Sequence, residues 1–176
     1  MNIEGVKAMK TEQKQILTLC VNGRERRFTV GRDPCDVPPS ETLVHTLRDR
    51  LGLTAAKLGC DQGACGACTV IIDGEAVPSC SVLSVECEGK SITTLEGLED
   101  PVTGALDPLQ QAFLDNTAFQ CGYCSPGVIM AVKALLDKNP KPTAEELQEA
   151  LSGNYCRCGT HHQVVETVMR FTGQEV

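Results

Sequence analysis

The sequence predicts an α+β protein in two unlike halves. Up to about residue 92, short segments with strand character surround one helical stretch, whereas beyond about residue 105 only helical periodicity remains. A third observation concerns cysteine. Eleven occur in 176 residues, and seven of those fall in three short runs.

Taken in order, residues 1–15 are polar and read as a disordered tail. "ILTLCVNG" and "RRFTV" read as strands, joined through a turn at Asn22-Gly23, and "ETLVHTLRDRLG" as the helix of this half. "CTVIIDGEAV" holds a second hairpin at Asp73-Gly74, and "SITTLE" is the last strand. The stretch "EGLEDPVTGALDP", rich in glycine, proline and acids, marks a linker. The expected organisation is a first domain over 16–92, a linker over 93–104 and a helical domain over 105–176.

Four helical segments fill the second half. "DPLQQAFLDNTA" is the first, and "GVIMAVKALLDK" follows Ser125 and Pro126, which suit N-cap and first-turn positions. "TAEELQEALSG" carries a capping box, Thr143 with Glu146, and a closing Gly153. "VVETVMRFTG" is the last.

Composition excludes several function classes. Hydrophobic residues make up 41% and charged residues 22%, as in soluble globular chains. Sixteen basic against 23 acidic residues give a net charge of −7 without a basic block, so nucleic acid is not an expected partner. No apolar run approaches the roughly 18 residues of a membrane span, and the first residues show no apolar export segment. A cytoplasmic location without membrane insertion is the expectation. Aromatic residues are only 3% and tryptophan is absent, so large rings supply little of the order.

Cysteine is the other source of order. A disulfide framework suits neither an odd count nor a reducing compartment, which favours metal ligation. In "CDQGACGACTV", Cys60, Cys65 and Cys68 are separated by four and then two residues, with eleven more before Cys80. This is the plant-type ferredoxin spacing for a 2Fe–2S cluster, whereas a structural zinc site more often shows two C-x2-C pairs. Gly63 and Gly66 permit the dihedrals that turn backbone N–H groups toward sulfur.

A second group joins Cys121 and Cys124 in "QCGYCSPG" to Cys156 and Cys158 in "NYCRCGT". By spacing alone it suits zinc, a redox dithiol or an iron–sulfur cluster. Each pair lies just before a helix start, where the macrodipole and free N–H groups favour an anionic, thiolate-held centre.

The ordered set "LGLTAAKLGCDQGACGACTV", "QCGYCSPGVIMAVKALL" and "GNYCRCGT" resembles the iron–sulfur subunit of the molybdenum hydroxylases, the xanthine oxidase family, over roughly residues 16–172. The resemblance implies a β-grasp ferredoxin domain followed by a four-helix bundle, each with its own 2Fe–2S cluster. It implies ligand sets of Cys60, Cys65, Cys68 and Cys80, and of Cys121, Cys124, Cys156 and Cys158. A large partner subunit would carry molybdenum on a pterin, and a medium one FAD, in a complex that pairs as a dimer of heterotrimers. Single electrons would pass from molybdenum to the C-terminal cluster, then to the N-terminal one and on to a flavin or another acceptor. Gln120 and Cys158 would face the pterin.

The remaining residues have plainer readings. Cys20 and Cys87 fall in apparent strands as small core thiols. Cys35 is a loop thiol in "GRDPCDVPPSE", and His45 sits on the amphipathic helix as a packed or surface side chain. His161 and His162 stand where relatives often carry "TGY", and neither is needed as a ligand beside four cysteines. Two other functions compete: a free-standing two-cluster ferredoxin, and a zinc-stabilised binding module without redox chemistry.

Overall fold

The computed structural model describes residues 15–174, so the proposed N-terminal tail lies, apart from Gln15, outside the described residues. Strand β1 (Ile16–Val21) buries Leu17, Leu19 and Val21 on one face, and β2 (Arg24–Thr29) returns antiparallel beside it. The first turn is the expected one: Asn22 and Gly23 both have positive φ, 50° and 71°, as a type I′ hairpin needs. Asp73 and Gly74, at 50° and 86°, do the same between β3 (Thr69–Ile72) and β4 (Glu75–Pro78). With β5 (Ser91–Thr93) the sheet runs β2-β1-β5-β3-β4, and β1 pairs parallel with β5.

The helix of this half is short. α1 (Leu43–His45) continues directly as a π-helical stretch, Thr46–Arg50, rather than as one regular α-helix. Leu43, Val44 and Leu47 are buried against the sheet beside Leu19 and Ile92. Glu41 receives two bonds of 2.7 Å from Arg50, whose guanidinium also donates to the Cys35 carbonyl at 3.2 Å. Burial opposes ionisation of Glu41, but the Arg50 and Thr46 hydrogen bonds prevail and hold its carboxyl below the usual value. That tie secures the Pro-rich loop to the helix.

Helices α2 (Pro108–Asp115), α3 (Ser125–Lys138), α4 (Ala144–Ala150) and α5 (His161–Phe171) make up the second half. The capping box of Thr143 and Glu146 forms as expected. α3 differs in one detail: Cys124 is its N-cap, so Ser125 and Pro126 occupy the first turn. Leu109, Phe113, Val128, Val132, Leu147, Leu151, Val164 and Val168 form the core of this half. Among the described residues no helix is long and apolar enough to cross a membrane.

The segment between the halves is tied to the first half near its start and closes on itself further along. The Glu96 carboxylate accepts from the Ala55 amide (2.8 Å) and the Thr94 hydroxyl (2.7 Å). The Asp100 carboxylate takes the amides of Thr103 and Val102, which hold it below the usual carboxylate range.

The two halves meet on β3. All four of its residues are buried, because the sheet core takes Val70 and Ile72 while Met130 and Ala134 of α3 cover Ile71. Lys138, at the end of α3, bonds Glu75 of β4 at 2.5 Å. At the start of α3 the backbones touch: a Cβ on Gly127 would stand 2.1 Å from the Gly66 carbonyl oxygen. Glycine to alanine in a helix normally gains up to about 1 kcal/mol. Here Gly127→Ala should instead cost about 1–3 kcal/mol, because the methyl meets backbone that cannot yield locally. A urea midpoint at or above the parent's would show that the seam is looser than the structure has it.

Candidate metal centres

The first group of cysteines rides a loop whose shape alternates in hand. Asp61, Gly63 and Gly66 all have positive φ, at 55°, 74° and 66°. The loop thereby turns several amides onto sulfur. The backbone N–H groups of Gln62, Cys65 and Ala64 all serve the Cys60 sulfur, and Gly63 N–H donates to Cys80 Sγ at 3.2 Å. Gln62 leads the effects that draw the Cys60 thiol down to about 7. Cys68 behaves oppositely: burial pushes its thiol up to about 11, although the Cys80 amide donates to its sulfur at 3.5 Å. Cys80 stands on a helical turn just after β4 and is buried with it.

The second group gathers at two helix starts. Cys121 is exposed, Gly122 turns the chain at φ 78°, and Cys124 begins α3. Cys156 and Cys158 precede α5, whose N-cap is Thr160. Neither N-cap side chain accepts from its own helix, which leaves first-turn N–H groups available to an anion. Burial drives the Cys124 thiol up to about 12. Burial would raise Cys156 too, but Thr160, whose hydroxyl lies 3.2 Å from its sulfur, helps bring it down to about 7.

Six of these eight thiols meet in pairs. Cys60 bonds Cys65, Cys68 bonds Cys80, and Cys124 bonds Cys156. Among the described residues no three His, Cys, Asp or Glu side chains converge closely enough to hold one metal ion. A two-iron cluster takes four thiolates, two at each iron, so the first set, with two pairs, fits that group, and Cys124 with Cys156 supplies one such pair in the second. The two sets are also neighbours: a cavity of about 260 Å³ is lined by Cys60 and Cys65 from one set and by Cys121, Cys124 and Cys156 from the other.

The other sequence-selected residues stand apart. Gln120 is exposed next to Cys121, and His45 bonds Asp49 at the surface, at 3.1 Å. His162 faces solvent 3.4 Å from Glu166. His161 turns its Nε2 inward, where no partner meets it among the described residues. Cys20 is half-buried in β1 as expected. Cys87 corrects the sequence reading: it lies on a 3-10 turn, Ser84–Cys87, not a strand, because the Glu86 carboxylate bonds back to the Leu83 amide and closes the turn. Sequence reasoning missed Asn154, Tyr155, Gly127 and Thr160, whose partners are cysteine loops.

Comparison with known proteins finds two matching families, one for each half. Residues 28–95 match the family described as "2Fe-2S iron-sulfur cluster binding domain", and residues 94–169 the "[2Fe-2S] binding domain". The chain is 49% identical over 154 residues to the nicotine 6-hydroxylase small subunit of Paenarthrobacter nicotinovorans, covering 88% of this chain and 87% of that protein. It is 46% identical over 145 residues to the nicotinate dehydrogenase small FeS subunit of Eubacterium barkeri, covering 82% and 87% respectively. Among solved structures, quinoline 2-oxidoreductase from Pseudomonas putida 86 superposes with a TM-score of 0.79 at 38% identity, covering 89% of this chain and 91% of that one. Aldehyde oxidoreductase from Desulfovibrio desulfuricans gives 0.80 at 41% identity; there 90% of this chain matches only 17% of a much longer one.

The spare thiols give a direct check on which cysteines are engaged. In the native protein Cys35, exposed, should alkylate readily. Cys87, fully buried and with its thiol pushed up by burial, should stay unlabelled even at pH 8. Cys87→Ser should keep the iron content and cost around 1 kcal/mol if its hydroxyl finds no partner. Peptide mass mapping that found Cys87 labelled as fast as Cys35 would contradict its placement.

Proposed function

The chain belongs to the iron–sulfur subunits of the molybdenum hydroxylases, and on that premise we propose that it relays single electrons from a molybdenum–pterin site to a flavin. As in its family, it serves a multi-subunit oxidoreductase whose substrate site lies elsewhere in the complex. The observation that carries the reading is that two groups of four cysteines lie beside one cavity, with no substrate-processing constellation of side chains among the described residues.

In this proposal Cys60, Cys65, Cys68 and Cys80 hold one 2Fe–2S cluster, and Cys121, Cys124, Cys156 and Cys158 hold the other. When bound, each cluster takes up and releases one electron. The proposed architecture is a β-grasp domain over 16–92, a linker over 93–104 and a four-helix bundle over 105–176. The mixed five-stranded sheet with its packed α1, and the four helices that follow, support it. The proposed partners are a large subunit that binds molybdopterin and a medium FAD-binding subunit, in a pair of heterotrimers located in the cytoplasm.

The chain's own residues have defined tasks here. The amides of Gln62, Ala64 and Cys65, with that of Gly63, offset thiolate charge at the first set. Thr160 and the starts of α3 and α5 do so at the second. Gln120 presents an amide, both donor and acceptor, to a pterin edge, and the Cys158 sulfur accepts a hydrogen bond from it.

Two measurements test this. The purified complex should contain about four iron and four acid-labile sulfide per copy of this chain, with two distinct paramagnetic signals on reduction. Cys65→Ser should remove or weaken only the N-terminal signal. Stoichiometric zinc in place of iron would sink the proposal.

The entry point is tested separately. Gln120→Ala should keep all the iron and normal reduction by dithionite, yet slow cluster reduction by substrate about tenfold, the effect of a lost polar contact worth roughly 1–3 kcal/mol. If substrate reduction and retention in the complex both match the parent, electrons do not enter there.

A further inference from the structure

We propose that Asn154 is a positioning residue that clamps the two cysteine loops together, so that the electron crosses between them over the hydrogen bond from the Tyr155 amide to the Cys65 carbonyl. This rests on the relay function proposed above and concerns how the chain couples its two centres.

Asn154 is only 5% exposed, and its Nδ2 donates to the Gly66 carbonyl at 3.0 Å across a sequence separation of 88 residues. Its own amide donates to Leu151 O at 2.9 Å, anchoring it to the end of α4. The next residue makes the second crossing: Tyr155 N–H donates to Cys65 O at 2.9 Å. Two consecutive residues just before Cys156 thus bond two consecutive residues at and just after Cys65. The resulting route runs from the Cys156 sulfur through its own backbone to the Tyr155 amide, across one hydrogen bond, and through Cys65 to its sulfur.

The surroundings show that the contact is built for close approach. A Cβ on Gly66 would lie 2.4 Å from the Gly153 carbonyl and 2.6 Å from Asn154 Nδ2, so position 66 admits no side chain. Gly127 meets the same Gly66 residue from α3. On the far side, Tyr123 Oη donates to Leu58 O at 3.0 Å. The Gly66 carbonyl has two donors of its own in Thr69, so what the Asn154 bond adds is the tie between the two loops.

The step itself is a one-electron exchange. With clusters bound, one electron would leave the group that Cys121, Cys124, Cys156 and Cys158 would hold, and one would arrive at the group that Cys60, Cys65, Cys68 and Cys80 would hold. No bond forms or breaks and no proton moves. Asn154 directs its side-chain donor to the Gly66 carbonyl, and so fixes the register in which the Tyr155 amide faces the Cys65 carbonyl.

The test uses the intact complex carrying Asn154→Ala. Its iron content, both paramagnetic signals and both midpoint potentials should match the parent. The magnetic interaction between the two reduced centres, read by low-temperature electron paramagnetic resonance, should weaken or become heterogeneous. Freeze-quench after substrate addition should show the C-terminal centre reduced on time and the N-terminal centre delayed several-fold. Without the Asn154 bond the Tyr155 amide and the Cys65 carbonyl lose their fixed separation, which is the origin of that delay. Unchanged coupling and unchanged timing would overturn the clamp. Loss of iron would also overturn it, by making Asn154 a support of the centre itself. Should the variant not assemble, hydrogen exchange in the unmodified complex decides: the Tyr155 amide should be among the slowest, and fast exchange there would overturn the proposal. Zinc in place of iron would instead overturn the relay reading on which this one rests.

Discussion

One backbone oxygen, the carbonyl of Gly66, takes hydrogen bonds both within its own loop and across the seam between the two halves. It accepts from the Thr69 amide at 3.1 Å and the Thr69 hydroxyl at 2.7 Å, both within its own loop, and from Asn154 Nδ2 at 3.0 Å across the seam. The backbone of Gly127 lies against it. The inner bonds shape the turn that carries Cys65 and Cys68, and the outer bond sets that turn against the loop carrying Cys156. Loop geometry and docking therefore share one acceptor. Neither can shift without disturbing the other.

The apolar packing is arranged around this joint. β3 leaves Cys68 and Thr69 and runs straight into the sheet, with Val70 and Ile72 in the core shared with α1. Its opposite face carries Ile71 under Met130 and Ala134, on the helix that begins at Cys124. Both cysteine sets are thus fastened to the ends of elements that pack on each other. Burial of those elements is non-directional and sets proximity, while the polar bonds at the seam set the register.

What could be read in the sequence was local. Asn22-Gly23 and Asp73-Gly74 form turns because only residues tolerant of positive φ fit there, and the Thr143–Glu146 box closes within three residues. The cysteine spacings are similarly short. What could not be read depends on residues far apart in the chain. Nothing near Asn154 says that its partner is 88 residues earlier, although an Asn beside a cysteine pair is a signal worth weighing. Gly127, in an otherwise strong helical run, is another, since a glycine there forgoes helix propensity and usually marks a close approach. Cys87 was misplaced for a different reason. Its alternating neighbours look strand-like, and only the Glu86–Leu83 bond turns them into a 3-10 turn.

The charge arrangement follows from the same economy. Each set combines one thiol drawn down to about 7, Cys60 or Cys156, with one pushed up by burial, Cys68 or Cys124. Binding an iron–sulfur group requires thiolates, so the buried members must lose protons that the protein interior would otherwise retain. The chain has a net charge of −7, and Arg157, which donates to Tyr155 Oη at 3.4 Å, is the one cationic side chain among the described residues that line the cavity between the sets. Compensation therefore falls to backbone amides, a threonine hydroxyl and two uncapped helix starts. Such dipoles are fixed by the fold and need little reorganisation when a charge arrives, unlike a mobile lysine or arginine. For a centre that gains and loses one electron at a time, a rigid set of donors keeps the environment the same in both states. In the relay proposed above, the fold of the loops would then do more than Arg157 to set the environment of each group.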